Sequence, residues 1–199
     1  MSSTRPDDVT AWALAAKGGD RAAATAFVAA TRHDVRRFLA HLVDVHEAED
    51  LMQETYLRAM RSLPRFAAES SAKTWLLSIA RRVAADHIRT LSRRPRVSTS
   101  DDWAELADRS APRTRFEDSV VLQELIDALP VDRRLAFVAT QMLGLSYAEA
   151  AEVCDVPVGT IRSRVARARD ELVAGFRSGD ESGDETEPTR PVRHLRATS

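Results

Sequence analysis

GLSYAEAAEVCDVPVGTIRSRVARAR, residues 144–169, decides the fold, because it reads as two short helices joined by a tight turn. Ser146 is placed to accept from the backbone N–H of Glu149 while the Glu149 side chain reaches back to the N–H of Ser146, a capping box that starts a helix at Tyr147. Cys154-Asp155-Val156-Pro157 interrupts the apolar pattern, and Pro157 ahead of Gly159 and Thr160 suits a turn that feeds a second helix. In that helix Ile161, Val165, Ala168 and Leu172 recur at helical spacing and face inward. At about 100° per residue, Ser163, Ala166 and Arg167 point away from this stripe, with Arg162 on their flank. Guanidinium, hydroxyl and methyl groups on one outward face suit guanine edges, phosphates and a thymine methyl. Cap, turn and basic helix coincide, so the stretch reads as a DNA-recognizing helix-turn-helix rather than an amphipathic helix with a solvated arginine face.

The 199 residues allow one mid-sized domain or two small ones. Glycine is scarce, Ala, Leu and Arg are abundant, and alternating β-branched runs are missing, so the class is all-α. A net charge of −1 gives no global pull toward nucleic acid, and the sorting of charge by segment counts for more than the sum. Lys17 and Lys73 are the only lysines. Arginine is the better fork for phosphate and guanine, although a GC-rich genome gives the same bias. Cys154 is the single cysteine, which excludes a disulfide framework and a cysteine zinc cluster and favors a small buried thiol over a redox sensor. The start, MSSTRPDDVT, has no apolar signal core, and no window approaches the roughly 18 apolar residues of a membrane span. The protein is expected to be cytoplasmic, without membrane insertion.

Before the helix-turn-helix, residues 10–17, 21–42, 47–63 and 72–91 read as helices, the third stopped by Pro64. Phe27, Val28, Val35, Phe38, Leu39 and Leu42 supply a core face. In the third helix Ala48, Leu51, Met52, Thr55, Tyr56, Ala59 and Leu63 form the inward stripe, and Leu57 stands on the opposite face among Asp50, Gln53, Glu54 and Arg61. An apolar anchor inside a polar rim is what a protein-binding face needs, and a lone exposed Leu is also ordinary surface. In the fourth helix Leu76, Leu77, Ala80, Val83, Ala84, His87 and Leu91 lie on one side, with Trp75, Arg82, Asp86 and Arg89 on the other. Arg81, Arg82, Arg89, Arg93, Arg94 and Arg96 make this end strongly positive, which suits melted DNA. Trp75 either stacks on a base or, the preferred reading, packs against the first helices. Residues 98–116 turn acidic and rich in Ser, Thr and Pro, like a mobile linker. Helices follow at 117–129 and 132–143, and the tail after Arg177 has too few apolar residues to order itself.

Three segments resemble one family. EDLMQETYLRAMRSLPRF, from Glu49, resembles the polymerase-binding helix of the extracytoplasmic-function sigma factors of bacterial RNA polymerase, of the actinobacterial kind. KTWLLSIARRVAADHIR, from Lys73, is similar to their helix for the downstream promoter element, and residues 129–172 resemble their reader of the upstream element. The resemblance implies an all-α chain of two small helical domains joined by a flexible acidic linker, the second domain containing the helix-turn-helix. The expected division is 10–96 for polymerase binding and downstream recognition and melting, 97–116 for the linker and 117–177 for upstream recognition, between disordered ends at 1–9 and 178–199. It implies polymerase contacts at Asp50, Gln53, Glu54, Leu57 and Arg61; downstream contacts at Trp75, Arg81, Arg82, Asp86, Arg89, Arg93 and Arg94; and upstream contacts at Thr160, Arg162, Ser163, Arg164, Ala166 and Arg167. The implied partners are RNA polymerase core, through the clamp region of its largest subunit and the flap region of the second, and promoter DNA; an anti-sigma protein is a further partner that the family uses. Many relatives carry Asn where this chain has Arg82, an Asn that helps capture a flipped base, so base preference is open at that position.

No cofactor, metal or catalysis of its own is expected. An enzyme would have to gather His41, His46, Glu49, Asp86 and His87, yet His41 and His46 are poorly spaced as ligands on a helix and no nucleophile or phosphate loop accompanies them. An autonomous helix-turn-helix regulator, dimeric on two half-sites, leaves the Leu57 face unexplained.

Overall fold

The computed structural model describes residues 6–92 and 117–181, and among them every regular element is helical. The helices are α1 (Pro6–Lys17), α2 (Arg21–Ala40), α3 (Val45–Ser62), α4 (Ala72–Ser92), α5 (Glu117–Ala128), α6 (Val131–Phe137), α7 (Tyr147–Cys154) and α8 (Val158–Glu181). The linker expected at 97–116 lies outside the described residues, as do Arg93, Arg94 and the tail beyond 181.

Local chemistry sets the boundaries. α1 starts at Pro6, ahead of the expected Thr10, since proline at the first helical position forfeits no hydrogen bond. Asp20 begins α2 by accepting from the N–H groups of Ala22 (2.8 Å) and Ala23 (3.0 Å), next to Gly19 at φ +96°. Asp44 does the same for α3 through the N–H of His46 (2.9 Å). Ser71 Oγ accepts from the N–H of Thr74 (3.1 Å) at the head of α4. α8 runs to Glu181, past Arg177, where the tail was expected to begin.

The helix expected over 132–143 is interrupted. α6 stops at Phe137 and Val138–Met142 widens into a π-helical turn, in which the N–H of Leu143 reaches the carbonyl of Val138 (3.0 Å). The wider turn redirects the terminal carbonyls of Met142 and Leu143 before the chain reverses at Gly144, φ +70°.

Phe27, Phe38 and Leu39 of α2 and Leu76, Leu77 and Val83 of α4 are buried in the amino-terminal group, with α3 packed on both helices. Each such side chain contributes about 1.5–3 kcal/mol on burial. The stripe read on α3 is buried as expected, with Tyr56 half-buried and its hydroxyl 2.8 Å from Thr31 Oγ1. In the carboxy-terminal group α6, α7 and α8 surround Val138, Val153, Ile161 and Val165.

The two groups pack on each other, α7 lying on α4, and their buried residues form one continuous apolar cluster. Polar ties cross the contact. Lys73 Nζ donates to the carbonyl of Leu143 and pairs with Asp34, each at 2.7 Å. Arg37 donates to the carbonyl of Met142 (3.3 Å), and buried His41 Nδ1 lies 3.3 Å from Asp127 Oδ1. Ser71 Oγ and Thr74 Oγ1 both donate to Glu149 Oε1 at 3.2 Å.

Candidate nucleic-acid interface

On α8 the inward stripe Ile161, Val165, Ala168 and Leu172 is buried, while Arg162, Ser163, Ala166 and Arg167 are exposed together on the far side. The helix that presents them is held by its partner: the capping box forms, with Glu149 N–H donating to Ser146 Oγ (3.2 Å) and Ser146 N–H donating to Glu149 Oε2 (2.9 Å). α7 ends at Asp155 in the left-handed conformation, φ 56°. Two expected contact residues are less available. Thr160 is half-buried, and the half-buried Arg164 pairs with Asp132 (2.5 Å) across to α6. Cys154 is buried at the turn, and burial pushes its thiol up to about 11.

On α4 the expected residues divide into two sets. Arg82 and Arg89 are exposed, and Asp86 lies beside Arg89, whose Nη2 donates to Asp86 Oδ1 (2.5 Å). Trp75 is half-buried against Phe66, ring centroids 4.8 Å apart, so the ring packs within the amino-terminal group. Arg81 is half-buried and points to Asp155 at 3.7 Å, across the contact with α7.

On α3 Leu57 is 53% exposed, with Asp50, Gln53 and Arg61 exposed around it. Glu54 is half-buried and accepts from Arg58 Nε (2.7 Å). Four further apolar side chains are exposed on the carboxy-terminal group, Val121 and Leu122 of α5 and Val173 and Phe176 of α8.

Residues 27–94 match Sigma-70 region 2 and residues 119–172 match Sigma-70, region 4. Over 185 residues the chain is 52% identical to the ECF RNA polymerase sigma factor SigC of Mycobacterium tuberculosis, covering 92% of this chain and 100% of that relative. This chain belongs to the extracytoplasmic-function sigma factors. It is thus a non-catalytic specificity subunit that binds RNA polymerase core and directs promoter recognition and initiation. Two solved structures resemble this sigma factor. One is the sigma factor RpoE with the anti-sigma factor NepR from Bartonella quintana, 25% identical, TM-score 0.60, covering 75% of this chain and 94% of that one. The other is CnrH with the cytosolic domain of CnrY, 25% identical, TM-score 0.61, covering 86% and 98%.

Sequence reasoning missed Arg58, Lys73 and Asp34 as organizing residues of this sigma factor, and read Glu149 as a helix cap without its tie to α4. The Glu54–Arg58 pair at i, i+4 was available as a signal. The ties of Lys73 to Leu143 and of Glu149 to Ser71 and Thr74 join residues 70 or more positions apart, and such contacts leave no periodic trace.

Proposed function

We propose that the exposed face of α8 reads the upstream promoter element in the major groove through Arg162, Ser163, Ala166 and Arg167, and that Arg164 serves mainly to hold α8 on α6. The observation that carries this is the sharp division of α8, every inward position buried and this outward set exposed together. On α4, Arg82 and Arg89 hold the downstream element as its strands part, with Asp86 between them, and Arg93 and Arg94, which follow in the sequence outside the described residues, are assigned to the same element. Leu57, rimmed by Asp50, Gln53, Glu54 and Arg61, docks on the polymerase clamp, and Val121, Leu122, Val173 and Phe176 meet the flap. The two helical groups act as separate units, approximately 10–96 and 117–177, so each reader gains from the other by effective concentration once polymerase fixes their spacing.

In the arrangement described, α7 packs on α4 and draws Arg81 toward Asp155, while Arg82 and Arg89 stay exposed and open to the downstream element. RpoE is seen with an anti-sigma factor and CnrH with CnrY, which supports an anti-sigma partner acting in the cytoplasm on this chain too. Run-off transcription with core polymerase over a genomic promoter library tests the assignment. The expected result is a set of start sites sharing one upstream motif that Arg162 and Arg167 variants change; a motif indifferent to both would remove α8 from the reading.

A further inference from the structure

One carboxylate on the downstream face is out of place electrostatically. Asp86 sits on the basic side of α4 with its side chain 46% exposed, where it would repel a DNA backbone. Its two oxygens are held by different guanidiniums. Arg58 Nη1 of α3 donates to Oδ2 at 2.7 Å, and Arg89 Nη2 donates to Oδ1 at 2.5 Å. Arg58 Nε meanwhile donates to Glu54 Oε1 at 2.7 Å. The chain Glu54–Arg58–Asp86–Arg89 therefore runs from the proposed polymerase face to the proposed DNA face.

Stability does not account for it. Arg58 is 41% exposed, and ion pairs this open contribute about 0–1 kcal/mol. The bonds from Arg58, then from Arg89, hold the Asp86 carboxyl below its usual range, so it remains charged wherever the protein works. A charged Asp86 with Arg89 as its sole cation would draw that guanidinium into a two-pronged pair, which takes a second of its five donors and turns its fork toward the carboxylate rather than a phosphate.

We propose that Arg58 is a positioning residue for promoter opening: it takes one oxygen of Asp86, so that Arg89 keeps donors for a backbone phosphate of the downstream element. Through Nε it also ties this arrangement to Glu54 beside the polymerase contact. The inference rests on the assignment of α4 to the downstream element.

The test uses holoenzyme assembled from core polymerase and the full chain, on a promoter that the wild type transcribes. Polymerase co-elution reports docking, and permanganate reactivity of downstream thymines reports opening. Arg58→Gln is expected to co-elute within about two-fold of wild type and to open the promoter roughly ten-fold more slowly, the scale of one charge-assisted contact. Adding Asp86→Asn to it releases Arg89 and restores opening to within about three-fold, a rescue that a merely structural role for Arg58 would not give. Arg58→Lys, which keeps a cation beside Asp86, opens within about three-fold of wild type, which keeps the idea testable if Arg58→Gln folds poorly. Opening at the wild-type rate in Arg58→Gln, no rescue in the double variant, or opening in Arg58→Lys as slow as in Arg58→Gln each overturns the proposal. Opening at the wild-type rate when Arg82→Ala and Arg89→Ala are combined defeats the broader assignment of α4 instead.

Discussion

Leu57 illustrates how much a single side chain can say. Its exposure was readable from helical spacing alone, but its meaning was not, because a lone exposed leucine costs little on any surface. Leu57→Glu places a charge at the center of the proposed clamp contact and disturbs no buried neighbor. Co-purification with core polymerase is expected to vanish while far-UV circular dichroism stays unchanged; retained co-purification would remove the residue from the contact. Arg167→Ala is expected to cost roughly 1–3 kcal/mol of discrimination among upstream sequences. An equal loss on all sequences in a binding series would make it a phosphate contact. Cys154 gives the opposite kind of prediction. With its thiol at about 11, only about one molecule in ten thousand carries a thiolate at pH 7, so a disulfide reagent is expected to label it only after unfolding. Rapid labeling of the native chain would reopen the redox reading.

Helix starts were legible where a side chain close in sequence does the work. The Ser146 and Glu149 box was read directly, and Ser146→Ala is expected to cost about 1 kcal/mol in a denaturant titration. No change in the midpoint would mean that packing on α4 alone fixes α7. The interruption of α6 was not legible: Val138 to Met142 contains no Pro or Gly, and the π-helical turn follows from where Arg37 and Lys73 draw the last carbonyls. Candidate-site residues followed the same division. Those on one helical face, such as Arg162 with Arg167, were found by period. Trp75, Arg81 and Arg164 are constrained by partners elsewhere in the chain, Phe66, Asp155 and Asp132, which no local pattern encodes.

At the scale of the molecule, the packing of the two helical groups on each other depends on carboxylates, Asp127 against His41 and Glu149 against the head of α4. Burial raises the Asp127 carboxyl, but bonds from His41 and Gln123 and the Arg134 charge outweigh it and leave the group below its usual value. Glu149 is likewise raised by burial and lowered further by Ser146, Thr74 and Ser71, to a net position below normal. A depressed carboxyl adds stability that is complete above its ordinary range, about pH 4–4.5, and is lost as pH falls through the lowered value. Energy transfer between dyes on α2 and α8 is therefore expected to hold from pH 7 to about 5 and to drop below about 4, ahead of helix loss. Transfer that stays constant until global unfolding would show that the apolar contact alone joins the groups. The carboxylate of Glu149 also has two employers, the cap of its own helix and the hydroxyls at the head of α4. No replacement at position 149 can loosen one without fraying the other, and Ser71 caps α4 in the same way, so mutagenesis meant to pry the two halves apart finds its cleaner handle on the opposite bank at Thr74.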